Sequence, residues 1–141
     1  MAEILLGYDG SDCAKVALDE AVDLAKDLGD SVLIVFGFAP HGAGGGEVEA
    51  QREAVHDLGE RITAEAAERV AKAGVDHAVE MLPDHGANAL NDLAKARDAR
   101  MIVVGTHGES PLKGALLGST AHRLIQIADR PVLVVHHRAS E

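Results

Sequence analysis

The sequence predicts an α/β fold, an open doubly wound five-stranded parallel sheet with helices on both faces. Short apolar runs recur along the chain and alternate with longer segments in which apolar residues return every three or four positions. Continuous apolar runs are typical of parallel strands buried on both faces, and the helical period indicates the connections between them. A length of 141 residues with 47% hydrophobic residues suits one core, so residues 1–141 are assigned to a single domain.

The chain opens with a predicted strand, loop and helix. The apolar run Ile4–Leu6 ends at Gly7, as a central strand would. Ser11 or Asp12 can then cap a helix that continues to about residue 28, where a glycine stops it.

The second and third strands flank the longest predicted helix. Residues 31–38 are rich in β-branched and aromatic residues and predict a buried strand. Gly37 near its end is either a bulge or strand end, or a place where a flat ligand lies against the backbone. Residues 47–72 carry a helical apolar pattern, and residues 75–82 alternate as an edge strand does. The apolar face predicted for this helix consists of Val55, Leu58, Ile62, Ala66 and Val70.

The last third of the chain repeats the alternation. A helix is predicted over residues 88–99, a buried strand over 101–104, a helix over 119–128 and a final strand over 132–136. The pattern leaves the order of the strands in the sheet open. If the first and fourth strands flank the point where strand order reverses, their carboxyl ends meet at the usual ligand position of such sheets.

Charge and cysteine content restrict the class of function. The formal net charge of −10 argues against nucleic acid or an anionic membrane as a partner. Residues 1–30 hold eight acidic and two basic residues, whereas residues 105–141 hold three acidic and four basic residues. The second region therefore repels an anion less. The single cysteine, Cys13, excludes an intrachain disulfide, and we find no leader or spanning segment, so we expect a soluble cytoplasmic protein.

The segment 101–120 has the order strand, glycine loop, helix start. Glycine lets a backbone approach phosphate oxygens closely, and a helix start presents unpaired N–H groups to an anion. The residues concerned are Gly105, Gly108, Gly114, Gly118, Ser119 and Thr120. A strand followed by such a loop and helix predicts a phosphate-binding site.

This segment also resembles a known motif. Gly105-x-x-Gly108, nine residues, then Gly118-Ser119 is similar to the ATP-binding motif of the universal stress protein family. Ile-Leu-Leu-Gly-Tyr-Asp-Gly-Ser at 4–11, the second strand and Arg-Pro-Val-Leu-Val-Val at 130–135 resemble blocks of the same family, so the resemblance covers essentially the whole chain and is weakest around 39–50. It implies the strand order 3-2-1-4-5, with ATP between strands one and four.

The resemblance also implies roles for individual residues. Asp9 would contact the ribose or a metal-bound phosphate, Gly7 and Tyr8 would line the adenine side, and Gly37 would pass beneath the base. Gly105, His107 and Gly108 would wrap the ribose and inner phosphates. Gly118, Ser119 and Thr120 would bind the outer phosphates. A carboxylate beside a triphosphate needs a ribose hydroxyl or a divalent cation, so we expect Mg²⁺ to accompany ATP, with Asp9 as its ligand.

Other chemistry is less well matched by the sequence. The eight histidines are scattered and form no H-E-x-x-H or similar pair, and Cys13 at the start of the first helix is either a packing residue or a reactive thiol. Gly42 and Gly44 would need glycine at position 47 for a dinucleotide fingerprint, but that residue is Glu47. The chain has no Walker motif. A phosphoacceptor receiver domain requires a lysine after its last strand, and this chain has none there.

Two functions follow from these observations. The first is an ATP-binding stress-response and signalling module with at most slow hydrolysis, because we identify no catalytic base. The second is a module of the same fold that works through dimerisation and protein contacts. In either case the apolar last strand, 132–136, could pair across a two-fold axis to give a homodimer.

Overall fold

The computed structural model of the chain describes residues 1–37, 46–82, 86–107 and 118–137. Within these ranges the strands are β1 (Glu3–Gly7), β2 (Ser31–Gly37), β3 (His77–Leu82), β4 (Met101–Gly105) and β5 (Val132–Val135). The helices are α1 (Asp12–Leu28), α2 (Gly46–Lys72), α3 (Ala87–Ala96) and α4 (Ser119–Ile127). The predicted alternation is confirmed.

The five strands form one parallel sheet in the order β3-β2-β1-β4-β5, which confirms the order that the family resemblance implied. Strand β1 lies between β2 and β4, with Leu6 opposite Ile34 on one side and Val103 on the other. The chain winds from β1 outward to β3, then crosses β1 to continue at β4. Strand order therefore reverses between β1 and β4.

The two faces of the sheet are covered by different helix pairs. Helices α1 and α2 pack on the face that contains Ile4, Leu6 and Ile34. Helices α3 and α4 pack on the face that contains Leu5 and Ile102. The central strands are buried on both faces, as the continuous apolar runs predicted.

Several predicted helix and strand ends are displaced. Helix α3 ends at Ala96 rather than Ala99, since Asp98 adopts φ 50° and the Ala99 N–H donates back to the Ala94 carbonyl at 2.9 Å. Strand β3 begins at His77 rather than residue 75, because the turn that closes α2 continues through Gly74 at φ 78°. Such left-handed turns follow the last helical residue, and periodicity does not locate them.

The apolar face of α2 differs from the one its periodicity predicts. Leu58, expected on the buried face, is 45% exposed. Its neighbour Gly59 lies against β2 and β3 instead, so close that a Cβ there would be 2.5 Å from the Phe36 ring and 2.7 Å from Met81 Cε. The helix approaches the sheet through a glycine, which a search for large apolar residues overlooks.

Charged pairs hold together the amino ends of the strands. The Asp30 carboxylate accepts from Arg100 Nε at 2.5 Å and from the Ala2 N–H at 3.2 Å. Glu3 receives a two-pronged contact from Arg97, at 2.7 and 2.9 Å. Arg130 donates to the Ala94 and Ala99 carbonyls at 2.9 and 2.8 Å, which ties the start of β5 to the turn after α3.

Candidate functional site

The carboxyl ends of β1 and β4 lie side by side where the strand order reverses. Gly7 ends β1, Gly105 ends β4, and Leu6 and Val103 pair one residue and two residues earlier. Ligands of open doubly wound sheets bind outside the carboxyl ends of the strands at such a point. The two segments that sequence analysis expected to meet are therefore neighbours.

The end of β1 presents Gly7 on one face of the sheet and Tyr8 on the other. A Cβ on Gly7 would lie 3.1 Å from Val104 Cγ1 and 3.3 Å from Leu90 Cδ1, on the α3 side. The Tyr8 ring is 6% exposed within the α1 and α2 core, and the Tyr8 N–H donates to the Val35 carbonyl at 2.9 Å. Any contribution of Tyr8 to a ligand site therefore comes from its backbone.

The buried position also affects the ionisation of Tyr8. Burial raises the pKa of its hydroxyl, and the opposing effect of the Arg69 guanidinium is smaller. The tyrosine is neutral at physiological pH and serves as an apolar support beneath the loop that follows β1.

That loop places the Asp9 carboxylate at the start of α1. Asp9 Oδ1 accepts the Ser11 N–H at 2.9 Å, and Ser11 Oγ in turn caps α1 by accepting the Ala14 N–H at 3.2 Å. Gly10 turns the chain at φ 82° with Ile62 packed beneath it. The hydrogen bond from Ser11 N–H orients the carboxylate, and the turn at Gly10 and the cap at Ser11 fix the backbone that carries it.

Gly105 is required by packing between α1 and β4. A Cβ at this position would lie 2.8 Å from the carbonyl carbon, the oxygen and the Cβ of Cys13. Cys13 is half-buried, with Sγ 3.8 Å from Thr106 Oγ1. The glycine lets the first turn of α1 contact the end of β4, and a close helix contact accounts for its presence without any ligand.

Thr106 joins the end of β4 to three other elements. It is 3% exposed; its N–H donates to the Val135 carbonyl of β5 at 3.1 Å, and its carbonyl accepts the Gly118 N–H before α4 at 2.5 Å. Its hydroxyl lies 3.3 Å from His107 Nδ1. Sequence analysis missed this residue, although a hydroxyl directly after a buried strand and before a glycine-loop histidine could have indicated it.

The start of α4 is held beside the end of β4 by that bond to Thr106. Gly118 occupies the cap position with φ −68° and ψ 161°, and no side chain of the described residues caps the first turn. The first turn carries no acidic residue, and Ser119 is exposed while Thr120 is half-buried. The N–H groups of a first helical turn and the positive end of the helix dipole are an arrangement that suits an anion.

The structure brings together most of the predicted residues. Gly7 ends β1 and is followed by Tyr8 and Asp9, and Gly105 ends β4 and is followed two residues later by His107. Gly118, Ser119 and Thr120 open α4, which the bond from Gly118 N–H to the Thr106 carbonyl holds beside the end of β4. Gly37 ends β2, the neighbouring strand on the other side of β1, and pairs with Leu82. Gly108, like the rest of the loop up to residue 117, lies outside the described residues.

One further group of possible metal ligands occurs among the described residues, on α2. His56, Asp57 and Glu60 have ligand atoms within 4.8 Å of one another, and His56 Nδ1 lies 3.5 Å from Glu60 Oε1. The two carboxylates are 74% and 61% exposed. This group contains one histidine with carboxylates one and four positions later, a pattern that differs from the histidine pairs typical of metal motifs.

Fold and site together define a doubly wound α/β domain with a helix start that has glycine at its cap position and glycine-lined strand ends at its switch point. The model of the universal stress protein family matches residues 1–136. The chain belongs to this family. Among the described helices, none has the length and apolar character needed to cross a membrane.

Relatives in sequence and structure agree with this assignment. A universal stress protein of Methanocaldococcus jannaschii is 34% identical over 137 residues, covering 94% of this chain and 81% of the relative. One of Bacillus subtilis is 30% identical over 148 residues, covering 94% and 97%. A family member from Burkholderia pseudomallei superposes with a TM-score of 0.80 at 29% identity over 95% of both chains. A universal stress protein in complex with cAMP superposes with a TM-score of 0.73 at 28% identity over 97% and 98%.

Proposed function

We propose that this protein binds ATP at the β1–β4 switch point and acts as a nucleotide-dependent stress-response module. The observation that carries the proposal is the start of α4, which has glycine at its cap position and is fixed beside the end of β4 by the bond between Gly118 N–H and the Thr106 carbonyl. N–H groups held in place before a ligand arrives suit phosphate oxygens.

The residues divide by the part of the nucleotide they would contact. Gly118, Ser119 and Thr120 receive the outer phosphates, whereas Gly105, His107 and Gly108 follow the ribose and inner phosphates. Gly7, the Tyr8 backbone and Gly37 lie on the adenine side. A solved relative at 28% identity binds cAMP, which supports an adenine nucleotide as the ligand class.

Asp9 is the residue suited to the accompanying cation. Its Oδ1 is engaged by the Ser11 N–H, and this orients the carboxylate from a rigid turn. Mg²⁺ prefers hard oxygen ligands and is commonly held by one or two carboxylates together with phosphates. Asp9 with the Ser119 or Thr120 hydroxyl fits that donor set, and the ion would neutralise phosphate charge beside the Asp9 carboxylate.

We assign no catalytic residue to the site. His107 Nδ1 lies 3.3 Å from the Thr106 hydroxyl, and we place this imidazole along the ligand rather than as a base that activates water. Any hydrolysis is therefore expected to be slow, and the useful event is binding that stabilises one conformation.

Calorimetric titration with ATP and Mg²⁺ tests the proposal, using Gly118→Val as the disabled variant. Its φ and ψ are accessible to valine, so the variant can fold while its methyl groups crowd the N–H groups. We expect ATP affinity to fall by about tenfold or more, a loss of about 1.4 kcal/mol. Gly86→Val is the matched control, since Gly86 also caps a helix, adopts φ 179° and would place a Cβ in open space.

ATP binding by the parent protein is the first result to establish. No ATP-dependent heat and no melting shift in the parent would refute nucleotide binding. Equal ATP affinity of Gly118→Val and Gly86→Val would refute the assignment of the outer phosphates to the start of α4. Phosphate analysis of nucleotide that remains bound after purification, followed over time, measures any hydrolysis.

A second function is favoured by the packing of Gly105. Because contact with Cys13 requires this glycine without a ligand, the fold can serve as a dimerisation and protein-interaction module. Strand β5 lies at the edge of the sheet, and its Val132, Leu133 and Val134 are only half-buried, which suits pairing with a second copy. A concentration-dependent dimer whose stability ignores ATP would support this function over the first.

A further inference from the structure

Thr106 lies where four elements meet. It stands between Gly105 and Gly108 but is not one of the residues that define the glycine motif. Its backbone connects β4 to β5 and to the start of α4, through the Val135 carbonyl and the Gly118 N–H. Its buried hydroxyl lies 3.8 Å from Cys13 Sγ in α1 and 3.3 Å from His107 Nδ1. The backbone of this residue therefore joins β4 to its neighbours, whereas its hydroxyl contacts the side chains of Cys13 and His107.

We propose that Thr106 is a positioning residue of the nucleotide site, whose hydroxyl orients the His107 imidazole from beneath. This inference rests on the proposed function, in which His107 lies along the ribose and inner phosphates. The hydroxyl acts through His107, and Thr106 itself is 3% exposed.

The proposal requires one direction for each of the two hydrogen bonds of the Thr106 hydroxyl, with Cys13 and with His107. A hydroxyl has one proton to donate, and a thiol has one weakly acidic proton of its own. When the Cys13 S–H points to Thr106 Oγ1, the hydroxyl proton is directed to His107 Nδ1. Nδ1 is then the acceptor, so the neutral ring carries its proton on Nε2.

The variant Thr106→Val removes the hydroxyl while keeping the shape and both backbone bonds. Thr106→Ser restores the hydroxyl. The matched control is Thr63→Val, since Thr63 is 2% exposed on α2 and its hydroxyl donates to the Gly59 carbonyl at 2.8 Å, within its own helix. All three changes are small and buried, so general loss of packing affects them alike.

Two measurements distinguish positioning from a structural role. Nitrogen-15 shifts of the His107 ring, recorded without nucleotide at a pH where histidine is neutral, report which nitrogen carries the proton. We expect the Nε2–H form in the parent, Thr106→Ser and Thr63→Val, and a larger share of the Nδ1–H form in Thr106→Val. ATP affinity should fall by about threefold to tenfold in Thr106→Val, the value of one hydrogen bond, and stay within about twofold in Thr106→Ser and Thr63→Val.

The possible failures are distinguishable. A parent that binds no ATP overturns the proposed function. A parent that binds ATP while Thr106→Val keeps parental affinity, or keeps parental ring shifts, overturns the positioning role. Should Thr106→Val fail to fold, Cys13→Ala carries the test, because it removes the thiol donor and leaves Thr106 intact. We then expect the ring shifts of His107 to move toward those of the Nδ1–H form, and unchanged shifts would overturn the inference.

Discussion

Gly105→Ala should destabilise the protein through a single added methyl group. The new Cβ would lie 2.8 Å from three atoms of Cys13, whereas ordinary contacts begin at 3.4 Å. Two of those atoms belong to the backbone, so no rotamer change relieves the clash and the first turn of α1 must shift. Gly105 does not have a positive φ, so backbone strain plays no part.

The expected cost follows from that displacement. Forcing one extra carbon into a packed contact costs about 1–3 kcal/mol, and alanine recovers about 0.4–1 kcal/mol by restricting the unfolded chain. The net loss is about 1–2 kcal/mol, which lowers the melting temperature of a chain this size by roughly 3–8 °C. Urea unfolding monitored by circular dichroism measures the free energy, and thermal unfolding measures the temperature.

Two further glycines serve as controls for Gly105→Ala. At Gly86 a Cβ meets nothing within 4 Å, so Gly86→Ala should leave stability nearly unchanged. At Gly7 the nearest atoms are side-chain methyls of Val104 and Leu90, at 3.1 and 3.3 Å, which can move. Gly7→Ala should therefore cost less than Gly105→Ala. If Gly105→Ala unfolds at the same urea concentration as Gly86→Ala, the contact with Cys13 does not constrain the fold.

Two further predictions concern the rest of the fold. Hydrogen bonding from Arg100 lowers the pKa of the Asp30 carboxyl, against the effect of burial, so the stabilisation is full above the ordinary aspartate pKa and is lost as pH falls through the lower folded value. Asp30→Asn should lower the free energy of unfolding at pH 7 by about 1–3 kcal/mol and make that free energy fall less steeply below about pH 4. Urea titrations between pH 2 and 7 would measure both effects, and an acid profile equal to that of the parent would contradict the prediction. Gly59→Ala should cost about 1–3 kcal/mol, although alanine favours helix, because its Cβ would lie 2.5 Å from Phe36. Phe36→Leu should lessen the cost of Gly59→Ala in a double-mutant cycle, and strict additivity of the two changes would argue against the clash.

Sequence patterns predicted the elements well because burial on both faces of a parallel strand leaves a continuous apolar run. The run Ile4–Leu6 and the strand that starts at Met101 were located in this way. The order of the strands came from the family resemblance, since apolar runs do not state which neighbour each strand pairs with. Element ends were less accurate because the turns at Gly74 and Asp98 depend on local φ values.

The candidate site was predictable where it depends on glycine spacing and less so where it depends on contacts between distant residues. The spacing located Gly105 and Gly118, and the fold places Gly105 against the first turn of α1 and Gly118 beside Thr106. Packing of Gly105 on Cys13, 92 positions earlier, was invisible because no pattern along the chain records it. The hydroxyl of Thr106 was missed for the same reason, since its partner Cys13 becomes a neighbour only through the β1–β4 pairing.

The charged pairs at the amino ends of the strands have a consequence for how the sequence can change over time. These pairs, formed by Asp30 with Arg100 and by Glu3 with Arg97, lie at the amino ends of the strands, whereas the glycine-lined site lies at their carboxyl ends. Residues that could tune ligand preference at the carboxyl ends therefore have few direct contacts with the charged pairs that hold the amino ends together. A lineage can exchange residues around Asp9 or His107 while these pairs keep the sheet assembled, and such a separation allows one scaffold to diversify without first losing its fold.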